Sequence, residues 1–188
     1  MVELEYEEDV LSVVNEAKRI SPGTIVSVRV PFGDNVEKIV EELTYADVEV
    51  IHLYADVNGR AITSQTFKKS LIKNASQSEP DFIKDMTLNV HRHLIDLKIR
   101  DEVTLIVSGG IAMAEHVAKS IVCGADLIAV DLPLLLALEC RYCKNCLKKV
   151  PPPCPVELKE IEPQWGAKRI INLIGAWRNQ LLEVLGAM

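Results

Sequence analysis

The chain has 188 residues, 48% hydrophobic and 26% charged, which is the balance of a folded domain and excludes a disordered one. Its net charge of −6 excludes the basic surface on which general nucleic-acid binding rests, so no nucleic-acid partner is expected. No apolar run is long enough to span a bilayer and no basic-apolar leader opens the chain, so a cytoplasmic protein with no membrane partner is expected.

Helix and strand patterns then alternate. Glu8 to Ile20 reads as a helix, with Val10, Val13, Val14, Ala17 and Ile20 at helical spacing and Pro22-Gly23 as its stop. Thr24 to Pro31 alternates as a strand, Val26, Val28 and Val30 on one side, Ser27 and Arg29 on the other. Asn35 to Thr44 predicts a second helix and Val48 to Asp56 a second strand. Val57 to Pro80 is polar with weak periodicity, and so long a loop in a compact domain is functional or mobile. Asp81 to Lys98 predicts a helix with Phe82, Met86, Val90, Leu94 and Leu97 on one stripe. Val103 to Val107 is a third strand that runs into Ser108-Gly109-Gly110; a helix over Ala112 to Cys123 and a fourth strand over Asp126 to Val130 follow. Leu132 to Glu139 begins a helix that runs into the cysteines. The last helix covers about Ala167 to Leu185, with Ile170, Ile174, Trp177, Leu181 and Val184 on one face.

Four apolar strands joined by helical crossovers imply a parallel α/β sheet covered by helices. A closed (β/α)8 barrel needs eight strands and roughly 250 residues. The chain is therefore either a small open α/β sheet or a parallel (β/α) half-barrel of four strands. Three segments are expected: an α/β body over residues 1–139, a cysteine loop over 140–156 and a C-terminal helical extension over 157–188.

Ligands of parallel α/β sheets collect at the C-terminal strand ends. This sequence places Arg29, His52, Tyr54, Asp56, Ser108 and Asp131 there, with His52, Tyr54 and Asp56 at the period of one strand face. The plainer alternative is that Asp56 caps a loop and His52 is a satisfied core histidine. His91, His93 and His116 lie on helices with no partner at ligand spacing, so surface positions are expected. Gly109-Gly110 between a strand and a helix suits either a close backbone approach to a phosphate or a tight turn with no ligand. Gly124-Ala125-Asp126 is the short return of the same kind of unit.

Four of the five cysteines, Cys140, Cys143, Cys146 and Cys154, give C-x2-C-x2-C-x7-C-P. Clustered thiols in a reducing compartment are metal ligands more often than disulfides. The run is close to a ferredoxin-type iron–sulfur loop, and a zinc site of four thiolates is the alternative. Arg141, Lys144, Lys148 and Lys149 would favour thiolate and offset an anionic cluster. Cys123 falls on an apolar helix face and reads as a small buried hydrophobe.

Three stretches together resemble the synthase domain of FMN-dependent glutamate synthases, in particular the archaeal-type large subunit. VSVRV looks like that family's strand with a basic residue near its end. RDEVTLIVSGGIAMAEHVAKSIVCGADLIAV looks like its glycine motif, helix and eighth strand. LLALECRYCKNC with CPV looks like its cluster loop. The likeness runs from about Tyr6 to the end and places the chain in the C-terminal half of the barrel. It implies FMN at the strand ends, with Gly109 and Gly110 at the phosphate, Ser108, Ile111 and Asp131 beside them, and Arg29 where the family commonly has a lysine near the flavin. It implies electrons passing through an iron–sulfur cluster to FMN and on to 2-iminoglutarate, giving L-glutamate. Arg29, His52, Tyr54 and Asp56 are the catalytic candidates. Cys143 is extra to the family's three ligands, which favours [4Fe–4S] over [3Fe–4S]. Asp131-Leu132 and the run YADVNGR also depart from the family's pattern. The resemblance further implies that the first four strands lie elsewhere. Half a barrel has unpaired sheet edges, so the expected partners are an N-terminal barrel half or a second copy, forming an oligomer, with glutaminase and electron-donor subunits beyond. The alternative function is a non-catalytic, metal-stapled α/β partner subunit or a phosphate-binding barrel half.

Overall fold

Valine-rich strands alternate buried and half-exposed side chains, and this alternation gives the sheet two unlike faces. The computed structural model describes residues 1–62, 81–143, 145, 150, 152–154 and 161–186. The chain divides into two compact units, residues 1–110 with 119–129, and residues 111–118 with 130–188.

The first unit holds a parallel five-stranded sheet in sequence order: β1 (Val2–Glu5), β2 (Val26–Pro31), β3 (Val50–Tyr54), β4 (Thr104–Ser108) and β5 (Leu127–Ile128). The crossovers carry α1 (Val10–Ile20), α2 (Val36–Tyr45), α3 (Ile83–Asp96) and α4 (Ala114–Val122), whose first residues belong to the second unit. This is the expected parallel β/α half-barrel class, with five strands in place of four. The added strand is β1, paired from Val2↔Val26 to Glu5↔Arg29. Its sequence, VELE, is short and half acidic, and none of its residues is fully buried, so it lacks the apolar signal that marks the inner strands.

One sheet face is fully apolar. Val26, Val28, Val30, Ile51, Leu53, Leu105 and Val107 are all 0% exposed. Val14, Val40, Leu43, Val90 and Leu94 from α1, α2 and α3 complete this core, and α2 packs on α3. Each such side chain contributes roughly 1.5–3 kcal/mol on leaving water. The helical stripes are narrower than expected. On α1 only Val10 and Val14 are buried, while Val13 and Ile20 are exposed; on α3 Phe82 is exposed and Ile83 takes its place.

The N-terminal ends of β4 and β5 are tied by Arg100. Its guanidinium donates to His91 Nδ1 at 3.1 Å, Val103 O at 2.9 Å, Gly124 O at 2.9 Å and Asp126 Oδ2 at 2.7 Å. Asp126 Oδ2 also accepts the Leu105 N–H at 2.8 Å. His91 is therefore not a free surface residue: burial, and then the neighbouring Arg100 charge, push its pKa down. Gly124 has φ +109°, and a Cβ there would lie 2.2 Å from His91 Cγ. The Gly-Ala-Asp return is thus built by packing. Across the sheet, Glu49 accepts Lys18 Nζ at 2.9 Å and the Val26 N–H at 3.0 Å.

The second unit contains α5 (Leu132–Ala137) and α6 (Pro163–Gly186), which pack together. Arg169 joins them, donating from Nε to Ala137 O at 2.9 Å and lying over the Trp165 ring. The expected apolar stripe of α6 is not a buried one: Ile174 and Val184 are exposed.

Gly124→Ala is expected to lower stability by about 2 kcal/mol or more in denaturant unfolding, because left-handed strain and a ring clash add. Gly23→Ala, with nothing within 4 Å of the new Cβ, serves as the neutral control. Burial pushes the Glu49 pKa up, but the Val26 N–H and Lys18 outweigh it and the net shift is down. A depressed carboxylate contributes stability above its unfolded pKa and loses it as pH falls through the folded value. Acid unfolding followed by circular dichroism should accordingly show a shallower pH dependence in Glu49→Gln.

Candidate functional site

Because side chains alternate along a strand, burial of the valine face turns the intervening residues to the other side. Register then sets their heights. Arg29 lies level with His52, His52 with Ile106, and Tyr54 with both Pro31 and Ser108. The structure thus brings together Arg29, His52, Tyr54 and Ser108, as the spacing predicts.

Two polar chains run across this face. Arg29 Nη1 donates to Glu5 Oε1 at 2.6 Å, and its guanidinium lies 4.8 Å from the centre of the Tyr54 ring. Arg29 Nε is buried without an acceptor among the described residues. His52 Nε2 shares a 2.8 Å hydrogen bond with Ser108 Oγ, and its Nδ1 stands 3.5 Å from Glu3 Oε1. Burial pushes the His52 pKa down; Glu3 opposes this, and the Arg29 charge adds to it. His52 is therefore neither a fully buried core histidine nor an open ligand. Glu3 and Glu5 were not expected at the site, because β1 itself was not; the alternation V-E-L-E was the signal that could have found them.

Asp56 does not share this face. β3 ends at Tyr54, and the Asp56 carboxylate turns into its own loop, where Oδ1 accepts the N–H groups of Asn58 and Arg60, each at 2.8 Å. The loop returns to the body through an isolated bridge between Arg60 and Phe82 and through Ile83 N–H donating to Gly59 O at 2.7 Å. Residues 63–80 of the long polar stretch lie outside the described residues.

The glycine pair follows Ser108. Gly109 and Gly110 have φ +96° and +68°. A Cβ on Gly109 would lie 2.5 Å from Ala55 O, and one on Gly110 2.5 Å from the Gly59 backbone. Both glycines are thus required by close backbone packing alone. Their N–H groups find no acceptor among the described residues, so two backbone donors remain available to an anion.

In the second unit, Asp131 caps α5, its Oδ1 accepting the Leu132 N–H at 2.5 Å. Ile111 is buried. His116 is half-buried and Nδ1 accepts the Ala112 N–H at 3.2 Å. His93 is half-buried beside Glu41 at 2.8 Å in the first unit. Cys140 is half-buried, its N–H bonded to Leu135 O at 2.9 Å, while Cys143 and Cys154 are exposed. Cys146, Lys144, Lys148 and Lys149 lie outside the described residues. Among the described residues no three His, Cys, Asp or Glu side chains gather as metal ligands. The chemistry of the donor set, thiols beside the left-handed residues Glu139 and Tyr142 that turn the chain sharply, still suits a thiolate-held metal. Cys123 is half-buried at the end of α4 and is not the core residue expected.

The family model for the conserved region in glutamate synthase matches residues 1–188. The archaeal glutamate synthase [NADPH] of Methanocaldococcus jannaschii is 35% identical over 103 residues, which is 52% of this chain and 20% of that protein. The archaeal-type glutamate synthase [NADPH] of Dehalococcoides mccartyi is 30% identical over 130 residues, 62% of this chain and 26% of that protein. The matched stretch is thus about a fifth to a quarter of these relatives. A mandelate oxidase mutant solved with the monooxide FMN adduct is similar in fold, with a TM-score of 0.50 at 14% identity over 90% of this chain and 40% of that one.

Gly109→Ala should cost about 1–3 kcal/mol in denaturant unfolding, since its Cβ meets backbone and not a flexible side chain end. Near-ultraviolet circular dichroism would report the disturbance at Tyr54.

Proposed function

The chain belongs to the glutamate synthase family, and from that premise we propose that it supplies the C-terminal half of an FMN barrel and its iron–sulfur loop. The observation that carries the reading is the polar face of the first unit. Arg29, His52, Tyr54 and Ser108 stand together at or near the C-terminal strand ends, and the chain continues into a glycine pair whose N–H groups have no acceptor among the described residues. That is where parallel α/β sheets take ligands.

The residues fit the parts of FMN they would face. The Gly109 and Gly110 N–H groups would hold the phosphate. Arg29, whose Nε has no acceptor among the described residues, would hold an electronegative edge of the flavin ring, and Glu5 and the Tyr54 ring keep the guanidinium in place. Cys140, Cys143, Cys146 and Cys154 would hold a [4Fe–4S] cluster; [3Fe–4S] and zinc are the competing occupants. When bound, these groups supply electron transfer and the hydride that converts 2-iminoglutarate to L-glutamate. Arg169 steadies the end of α5 immediately before Cys140. β1 is an edge strand of the sheet among the described residues; that edge would accept a strand from the N-terminal half, and glutaminase and electron-donor subunits complete the proposed assembly.

The test is metal and flavin analysis after anaerobic purification. Expected are a brown protein with about four irons and matching sulfide per chain, loss of iron in Cys140→Ser and Cys143→Ser, and FMN binding once the N-terminal half is added. A colourless protein with one tightly held zinc per chain would sink the redox reading.

A further inference from the structure

The N-terminal ends of β4 and β5 hang on one cation. Arg100, from the short turn Arg100–Glu102 before β4, donates to Val103 O and Gly124 O at 2.9 Å each and to Asp126 Oδ2 at 2.7 Å. The same Asp126 oxygen accepts the Leu105 N–H at 2.8 Å. Arg100 Nε donates to His91 Nδ1, on α3, at 3.1 Å. We propose that His91 and Arg100 form an acid-sensitive latch: a proton on His91 displaces Arg100 and loosens the return that carries the chain into β5. The latch lies at the strand ends remote from the glycine pair and does not depend on any ligand held there.

The geometry leaves that proton one place to go. A neutral imidazole has one N–H and one free nitrogen. Nδ1 accepts from Arg100, so the hydrogen sits on Nε2 and only Nδ1 can take another. A proton there would face the Arg100 Nε–H, donor against donor and cation against cation. The ring has little room to turn away, because a Cβ on Gly124 would already lie 2.2 Å from its Cγ. The displacement therefore falls on the guanidinium, and its bonds to Val103, Gly124 and Asp126 weaken together. β5 is only Leu127–Ile128, tied to β4 on either side by Asp126 N–H to Leu105 O at 2.9 Å and Ala129 N–H to Val107 O at 3.0 Å. The charged groups that act on His91 are Arg100 from the turn, Asp126 from the return and Arg92 on α3 itself. Burial, then Arg100 and Arg92, hold its pKa down, and Asp126 opposes them. The folded chain thus refuses a proton that the unfolded chain takes near about pH 6.5. The stabilisation is present above that pH and is lost as pH falls toward the folded value.

Two measurements on the full chain test the latch. Ring-nitrogen NMR, with the His91 ring assigned through its own backbone, should show the Nε2–H tautomer at neutral pH. Arg100→Lys keeps the charge and removes the Nε–H, so the His91 titration should move up. Amide exchange, corrected for its intrinsic pH dependence, should show protection at Leu105, Asp126 and Ala129 falling about tenfold between about pH 7.5 and about pH 5, and falling less at Val28 on β2. In His91→Asn, whose carbonyl oxygen can accept from Arg100 but takes no proton, that local fall should disappear. An Nδ1–H tautomer at neutral pH, an unmoved titration in Arg100→Lys, or an equal fall in wild type and His91→Asn overturns the latch. The tautomer is read on the wild-type chain and needs no variant to fold.

Discussion

Where Gly109 and Gly110 meet the backbone of Ala55 and Gly59 there is no room for a Cβ. The strand ends are organised around that contact. Ala55 N–H bonds Ser108 O at 2.9 Å, Asp56 closes the loop that carries Gly59, and Gly59 O anchors the first turn of α3. The ends of β3 and β4 therefore form one packed piece, and Tyr54 and Ser108 stay level with each other. Among the described residues the glycine N–H groups have no acceptor.

The apolar and polar side chains lie on opposite faces of the sheet. The apolar face contributes through several side chains of roughly 1.5–3 kcal/mol each. The Arg29–Glu5 ion pair of the other face is partly exposed and contributes about 0–1 kcal/mol. Polar substitutions there cost the fold less than substitutions on the apolar face. Arg29 and His52 also influence each other: the guanidinium held by Glu5 and Tyr54 helps keep the imidazole neutral.

Much of this was legible in the sequence. The inner strands, the crossover helices and the shared face of His52 and Tyr54 follow from two periodicities. What escaped did so for identifiable reasons. β1 is acidic and at the sheet edge, so burial left little mark on its sequence. Asp56 sits at the period of its strand, but an aspartate two residues before an N–H donor closes a local turn more readily than it extends a strand. His91 has no partner at helical spacing because its partners, Arg100 and the Gly124 backbone, come from later in the chain.

The parallel α/β order, the polar strand positions, the glycine pair and the clustered thiols are all readable along the chain. Those are matters of local period, residue chemistry and short spacing. It takes the folded sheet to bring Glu3 to His52, His52 to Ser108, and the glycine pair against Ala55 and Gly59. Each of these contacts joins residues dozens of positions apart, and their meeting depends on strand register, which no single stretch of sequence contains.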